Sequence, residues 1–119
     1  MKALLIISHG SRSSQAVQEV AELARILKAK SHFTVIEHAF LDVVQPNIPA
    51  GIHACVRQGA GEIVVFPHFL NSGKHVLKDV PALIEAARKQ YPDVCFKVMP
   101  AVGLHPQFAG FCLEMIKSV

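Results

Sequence analysis

The sequence predicts a single α/β domain over residues 1–119, a doubly wound four-stranded parallel sheet with helices on both faces. Four short apolar runs alternate with four segments whose apolar residues recur at helical spacing. This alternation is typical of parallel sheets, in which right-handed crossovers place helices on both faces. The hydrophobic fraction of 51% agrees with it, because strands buried on both faces are almost entirely apolar.

The first strand and helix come from the N-terminal end of the chain. The continuous apolar run from Ala3 to Ile7 predicts a buried, central strand. Three serines beyond it can cap the next helix: Ser11, Ser13 and Ser14. That helix has one apolar face, formed by Val17, Val20, Ala21, Ala24 and Leu27.

The second strand and helix follow the same scheme. The strand is predicted from about Thr34 to Phe40, and Asn47 with Pro49 begins the helix. Gly59 and Gly61 end that helix, because glycine is favoured just beyond a helix C-terminus.

The third strand leads into a polar loop. Pro67 ends the apolar run from Ile63 to Phe66, because proline has no N–H for the sheet ladder. The third helix is predicted from about Val80 to Gln90, with Asp79 and Pro81 as its start signals.

The last strand is expected from Val94 to Met99, with a proline-rich loop from Pro100 to Pro106. The last helix carries one apolar stripe: Phe108, Phe111, Cys112, Met115 and Ile116. This stripe and the high apolar content exceed what one sheet can cover, so we expect a symmetric dimer.

Ionisable side chains gather at one predicted edge of the sheet. Every strand-to-helix loop lies along the carboxyl edge, where α/β proteins bind ligands. Five such residues fall in those loops: His9, Asp42, His68, His75 and His105. Imidazoles with a carboxylate suit Fe, Co, Ni or Zn, and they accept protons near neutral pH. Three further histidines are expected at surface or packing positions: His32, His38 and His53.

Composition and missing motifs argue against several classes. The chain has no P-loop, no dinucleotide-binding glycine motif after a strand and no Gly-x-Ser-x-Gly elbow. A net charge of +3 without a dense basic run agrees with an anionic small ligand rather than nucleic acid. With no apolar run long enough for a membrane span or a signal peptide, a cytoplasmic location is expected. Three cysteines are expected to be reduced core thiols: Cys55, Cys95 and Cys112.

Motifs along nearly the whole chain match one protein family in order. The pieces are Ser8-His9-Gly10-Ser11-Arg12, Ala39-Phe40-Leu41-Asp42, Phe69-Leu70 to His75 with Asp79-Val80-Pro81, and Pro100-Ala101-Val102-Gly103. The pattern Phe-Leu-x-x-Gly-x-His-x-x-x-Asp-x-Pro is the most specific part. With these motifs the chain resembles the short sirohydrochlorin chelatases, the CbiX and SirB group of class II chelatases.

The resemblance implies a chelatase-like domain that inserts Co²⁺ or Fe²⁺ into sirohydrochlorin without ATP. Sirohydrochlorin is a carboxylate-rich tetrapyrrole, and the product would serve cobalamin or sirohaem biosynthesis. No tightly bound cofactor is implied; the divalent metal is a substrate, and imidazole accepts Co²⁺, Fe²⁺ and Ni²⁺ alike. Longer members carry two such domains in tandem, so a homodimer of this single domain is implied.

The family also implies residue roles. His9 and His75 would be metal ligands and proton acceptors. Asp42 would be a third catalytic residue, at the position where sirohaem-type members have Glu. The substrate-contacting positions would be Gly10, Ser11, Arg12, Gln45, Leu70, Asn71, Ser72, Gly73 and Lys74.

Two other classes of protein share features with this chain. Histidine phosphatases also place His-Gly after a first strand, but they need Arg immediately before that His, where this chain has Ser8. A non-catalytic binding protein for divalent metal or tetrapyrrole would use the same residues as an inserting enzyme, so that alternative stays open.

Overall fold

Four parallel strands form the sheet at the centre of this computed structural model, which describes the whole chain apart from the side chain of His75. The strands are β1 (Lys2–Ser8), β2 (Val35–Phe40), β3 (Glu62–Pro67) and β4 (Cys95–Val98). They lie in the order β2-β1-β3-β4, and all pairs are parallel. The helices are α1 (Ser14–Lys30), α2 (Ile48–Arg57), α3 (Lys74–Gln90) and α4 (Phe108–Ile116), with a 3-10 turn at Val102–Leu104 before α4. The predicted fold class is confirmed.

Apolar side chains form one cluster on each face of the sheet. Every residue of the central strand β1 after Lys2 is buried, as the continuous apolar run predicted. On one face α2 and α3 contribute Ile52 and Ile84 to a core with Leu5. On the other face α1 contributes Val20 to a smaller core with Ile6.

Local capping fixes the start of the first two helices. The Asn47 side chain accepts a hydrogen bond from the N–H of Ala50 at 2.9 Å, so the predicted start of α2 is confirmed. For α1 the capping serine is Ser13, which accepts from the N–H of Ala16 at 3.4 Å.

The prediction for the third helix was wrong at its start, because α3 begins at Lys74 rather than near Val80. Its N-cap residue is Gly73, which makes no side-chain cap hydrogen bond and therefore leaves no capping signal in the sequence. Pro81 lies inside the helix instead of in its first turn. Position 75 therefore belongs to the first turn of a helix and not to a loop.

Helix α4 is the exception to the pattern of buried helix faces. None of its residues is buried, and its main contact within the chain is with the preceding 3-10 turn. The radius of gyration is 14.7 Å, whereas a compact chain of this length has about 13.5 Å. The longest axis of 50 Å exceeds the other two, 32 and 30 Å, so the fold is elongated.

The three cysteines differ in environment. Cys55 is buried, and this burial raises the pKa of its thiol to about 12. Cys95 is exposed and Cys112 is partly exposed, so the expectation of core thiols is right for Cys55 and wrong for Cys95. Within the described part of the chain, no helix is long and apolar enough to cross a membrane.

Candidate active site

His9 stands at the carboxyl end of the central strand. Two backbone hydrogen bonds join the carboxyl ends of β1 and β2. The N–H of Leu41 donates to the Ser8 carbonyl at 2.8 Å, and the N–H of Asp42 donates to the His9 carbonyl at 3.0 Å. The imidazole of His9 meets the ring of Phe69 edge to face, with 4.5 Å between ring centroids. A backbone contact to the β2–α2 loop and a ring contact to the β3–α3 loop therefore hold His9 at the carboxyl edge of the sheet.

Gly10 makes the close approach of these two strand ends possible. Its φ is +101°, a conformation that side chains rarely adopt. A Cβ at this position would lie 2.0 Å from the carbonyl oxygen of Asp42. Glycine is therefore required at position 10, because the backbone of Asp42 leaves no room for a side chain there.

An open cleft of about 490 Å³ lies beside His9. Its lining residues are His9, Leu41, Asp42, Asp79, Ala82 and Leu83. The volume is within the range of small-molecule sites, about 300–1,000 Å³. The β1–α1 and β2–α2 loops form one wall and α3 forms the other, so the cleft lies at the carboxyl edge of the sheet.

The sequence predicted only one of the two carboxylates that line the cleft. Asp42 was expected, and its Oδ1 accepts a hydrogen bond from the N–H of Val43 at 2.8 Å, which orients the carboxylate. From the sequence, Asp79 is expected only as a start signal for the third helix. In the structure it lies in the interior of α3 and lines the cleft. The spacing of Asp79 four residues after His75 would have indicated a shared helix face, had the start of α3 been recognised.

The other expected ligand, His75, has its side chain outside the described residues. Its backbone position in the first turn of α3 places it on an element that lines the cleft. Among the described side chains, no group of three or more His, Cys, Asp or Glu is arranged to hold a metal ion.

His68 lies on the opposite face of the sheet from the cleft. Its Nδ1 is 3.3 Å from the hydroxyl of the buried Ser8, and burial lowers the pKa of its imidazole. It borders a small pocket of about 120 Å³ beneath the start of α1. The structure therefore does not bring His68 to His9.

The remaining histidines make local contacts. Nδ1 of His105 accepts from the N–H of Gln107 at 3.0 Å, and Nδ1 of His53 is 3.1 Å from the Tyr91 hydroxyl. His32 stacks on Phe33, and His38 packs edge to face on Phe40. None of these four lines the cleft beside His9.

The expected substrate-contacting residues are spread around the edge. Gly10 and Ser11 line the small pocket of His68, and Ser11 also accepts from the N–H of Ser13 at 3.0 Å. The Gln45 side chain accepts from the N–H of Asn47 at 2.9 Å. Exposed positions make up the rest: Arg12, Leu70, Asn71, Ser72, Gly73 and Lys74. A Cβ at Gly73 would meet no atom within 4 Å, so the space next to it is open.

A family model named CbiX matches residues 3–119. The chain belongs to the CbiX family. It is 32% identical over 118 residues to the sirohydrochlorin ferrochelatase of Bacillus subtilis (strain 168), covering 99% of this chain and 45% of that relative. It is also 32% identical over 119 residues to the sirohydrochlorin cobaltochelatase of Priestia megaterium, covering 99% of this chain and 37% of that relative.

A solved CbiX-like structure shares the fold. The crystal structure of the sirohydrochlorin chelatase SirB from Bacillus subtilis subspecies spizizenii, in complex with cobalt, matches with a TM-score of 0.87 and 32% identity. The match covers 99% of this chain and 50% of that chain. This CbiX-family chain therefore spans half the length of that SirB chain, and less than half of the two chelatases above.

Proposed function

We propose that this CbiX-family protein is a chelatase that inserts Co²⁺ or Fe²⁺ into sirohydrochlorin without ATP. One observation carries the proposal: His9 lines an open cleft at the carboxyl edge of the sheet together with the carboxylates of Asp42 and Asp79. The named activities of its relatives, a ferrochelatase and a cobaltochelatase, support this substrate and these two metals.

The cleft supplies the two things that metal insertion needs. The pyrrole N–H protons must leave as the metal enters, and a neutral imidazole can bind the metal on one face of the ring and then accept a proton. Carboxylates beside it add negative charge that favours a divalent cation. The protein contributes position and a base, with no covalent intermediate.

We assign the roles residue by residue as part of this proposal. His9 and His75 bind the metal and accept protons. Asp42 supplies negative charge beside them, and so does Asp79, because it lines the same cleft. The tetrapyrrole carboxylates would be met from the exposed loop positions, Arg12 and Lys74 among them.

We also propose that the protein works as a homodimer. The chain spans 45% of the length of the Bacillus subtilis ferrochelatase and 50% of the SirB chain, and its cleft is open on one side. A second copy would enclose a flat macrocycle between two such edges. The cytoplasmic location expected from the sequence stays a prediction.

A turnover assay tests this function against metal or tetrapyrrole binding alone. Sirohydrochlorin and Co²⁺ would be mixed with protein far below the substrate concentration, and the absorbance change would be followed against the spontaneous rate. We expect a rate proportional to protein concentration that continues over many equivalents. A change that stops at one equivalent of protein would contradict catalysis and favour the binding protein. Parallel assays with Fe²⁺ and Ni²⁺ would rank the metals.

A further inference from the structure

Val43 has a backbone conformation that its residue type disfavours. Its φ is +76°, and within the described part of the chain no other residue besides glycine has a positive φ. For a β-branched residue a positive φ is an outlier, because the branched side chain crowds the backbone. Burial does not compensate for this strain, since the Val43 side chain is 54% exposed. Such strain persists only where the surrounding structure imposes it, and it clusters at functional sites.

This strained residue is the centre of a tight turn next to the cleft. The N–H of Val44 donates to the Asp42 carbonyl at 2.9 Å. A hydrogen bond of this span around a central residue with φ near +75° is the mark of the rare, strained form of γ-turn. The first residue of the turn, Asp42, lines the cleft together with His9. We call residues 42–44 the Val43 turn.

Contacts at both ends hold the Val43 turn in place. The N–H of Asp42 donates to the His9 carbonyl at 3.0 Å. The Asp42 carbonyl approaches Gly10 so closely that a Cβ on Gly10 would lie 2.0 Å from its oxygen. At the other end, the Val44 side chain packs against the smaller core, on the α1 side of the sheet. The β1–α1 loop and this core therefore set the direction of the Asp42 carbonyl.

The same peptide unit also holds the carboxylate of Asp42. The peptide bond between Asp42 and Val43 is trans, so its C=O and N–H point in opposite directions in one plane. A fixed Asp42 carbonyl therefore fixes the Val43 N–H, which donates to Asp42 Oδ1 at 2.8 Å. Within the described part of the chain this is the one hydrogen bond to the carboxylate. Oδ2 is then the oxygen that can meet a ligand in the cleft.

We propose that Val43 is a positioning residue, which holds the Val43 turn so that Oδ2 of Asp42 is aimed at a divalent metal beside His9. This role rests on the proposed chelatase function and deepens it. Once the neighbouring contacts impose a positive φ, the branched side chain leaves the backbone of Val43 little freedom. Glycine would adopt the same φ without strain, but it would let the peptide unit rotate. A group that is already in position need not be ordered when the metal arrives.

A double-mutant cycle in the full chain tests this role. Co²⁺ insertion into sirohydrochlorin would be measured for Val43→Gly, for Asp42→Ala and for the double variant. We expect Val43→Gly to lower the rate by about tenfold to a hundredfold, since a misplacement of about 1 Å can cost about a hundredfold. In the Asp42→Ala background, Val43→Gly should have no further effect. An equal loss in both backgrounds, or an unchanged rate for Val43→Gly, would overturn the proposal.

Val43→Ala separates the turn from the contacts of the valine side chain. Alanine keeps a Cβ and therefore still restricts the backbone, so we expect a smaller loss of rate than for Val43→Gly. A loss as large as that of Val43→Gly would show that the valine methyl groups act by direct contact, and it would overturn the positioning role.

Thr34→Gly is the matched control for a new glycine. Thr34 is also β-branched and exposed, and it lies just before β2, at the end of the strand away from the cleft. We expect the wild-type rate for Thr34→Gly, and a melting temperature for Val43→Gly no lower than that of Thr34→Gly, because glycine relieves the strain at position 43. A matching loss of rate in Thr34→Gly, or a much lower melting temperature for Val43→Gly, would overturn the proposal.

Co²⁺ binding without the tetrapyrrole separates this inference from the proposed function. In calorimetric titrations, Val43→Gly should bind Co²⁺ more weakly than the wild type, whereas Asp42→Ala and the double variant should bind it equally. That pattern without turnover in any variant would overturn the chelatase function and leave the positioning role intact. Turnover by the wild type, with equal Co²⁺ binding and equal rates in Val43→Gly, would do the reverse. A wild type with neither Co²⁺ binding nor turnover would overturn both.

Discussion

Two regions follow strands at the carboxyl edge of the sheet but differ in how they are held in place. One is the β1–β2 corner, residues 8–11 and 40–47. The other is the C-terminal arm, residues 100–119. In the corner, backbone hydrogen bonds link Ser8 and His9 to Leu41 and Asp42. In the arm, Gly103 packs the 3-10 turn closely against the Leu70 backbone, but the apolar helix α4 that follows has no buried residue. The difference teaches that contacts within the chain hold the residues beside His9 in place, whereas they leave the apolar side chains of α4 exposed.

Two phenylalanines give the largest expected contrast between the regions. Phe96 on β4 is 3% exposed and Phe111 on α4 is 60% exposed. We expect Phe96→Ala to lower the free energy of unfolding by about 3–5 kcal/mol, because it empties a packed core site. In dilute protein, Phe111→Ala should change it by less than about 0.5 kcal/mol, because the side chain is largely exposed. Urea unfolding at two protein concentrations measures both, and equal losses in dilute protein would break the comparison.

Two glycines with positive φ sharpen the description of the corner. Gly10 has φ +101° and no room for a Cβ, whereas Gly59 has φ +95° and nothing within 4 Å of that position. We expect Gly10→Ala to cost about 2–4 kcal/mol through backbone strain and displacement of Asp42, and Gly59→Ala about 1 kcal/mol through strain alone. Thermal and urea unfolding of the pair measure the difference. Similar losses of unfolding free energy in the two variants would show that the corner tolerates a side chain at position 10.

The smallest expected effect concerns His68 and pH. Burial lowers its pKa in the folded state, so the unfolded chain binds more protons once the pH falls below the ordinary value of about 6.5. The contribution of neutral His68 is therefore fully present above that pH and is lost as the pH falls through the lowered pKa. We expect His68→Gln to show a slightly flatter stability profile between about pH 7 and 5 than the wild type. Parallel profiles in urea unfolding would contradict this assignment.

The sequence predicted those features that local patterns encode. Continuous apolar runs located β1 and β3, and Asn47 located the start of α2 because its side chain is the cap. The start of α3 was missed because Gly73 caps without a side chain, while Asp79 and Pro81 imitate a start signal inside the helix. The role of Asp79 in the cleft was missed for the same reason. Tertiary packing, which no local pattern encodes, left Cys95 exposed.

The central claim is that the cleft beside His9 performs metal insertion. His9→Ala and His75→Ala would each be assayed for Co²⁺ insertion into sirohydrochlorin, with His53→Ala as the control because His53 contacts Tyr91 away from the cleft. In the proposed mechanism each of the first two changes removes a ligand and a proton acceptor together, and loss of a general base alone costs about a hundredfold or more in rate.

We predict folded His9→Ala and His75→Ala proteins with rates close to the spontaneous reaction, and a His53→Ala protein near the wild type. His9→Ala carries the larger risk to folding, because His9 ends the central strand, so circular dichroism accompanies each assay. A folded His9→Ala or His75→Ala variant that keeps the wild-type rate at low metal concentration would contradict the account.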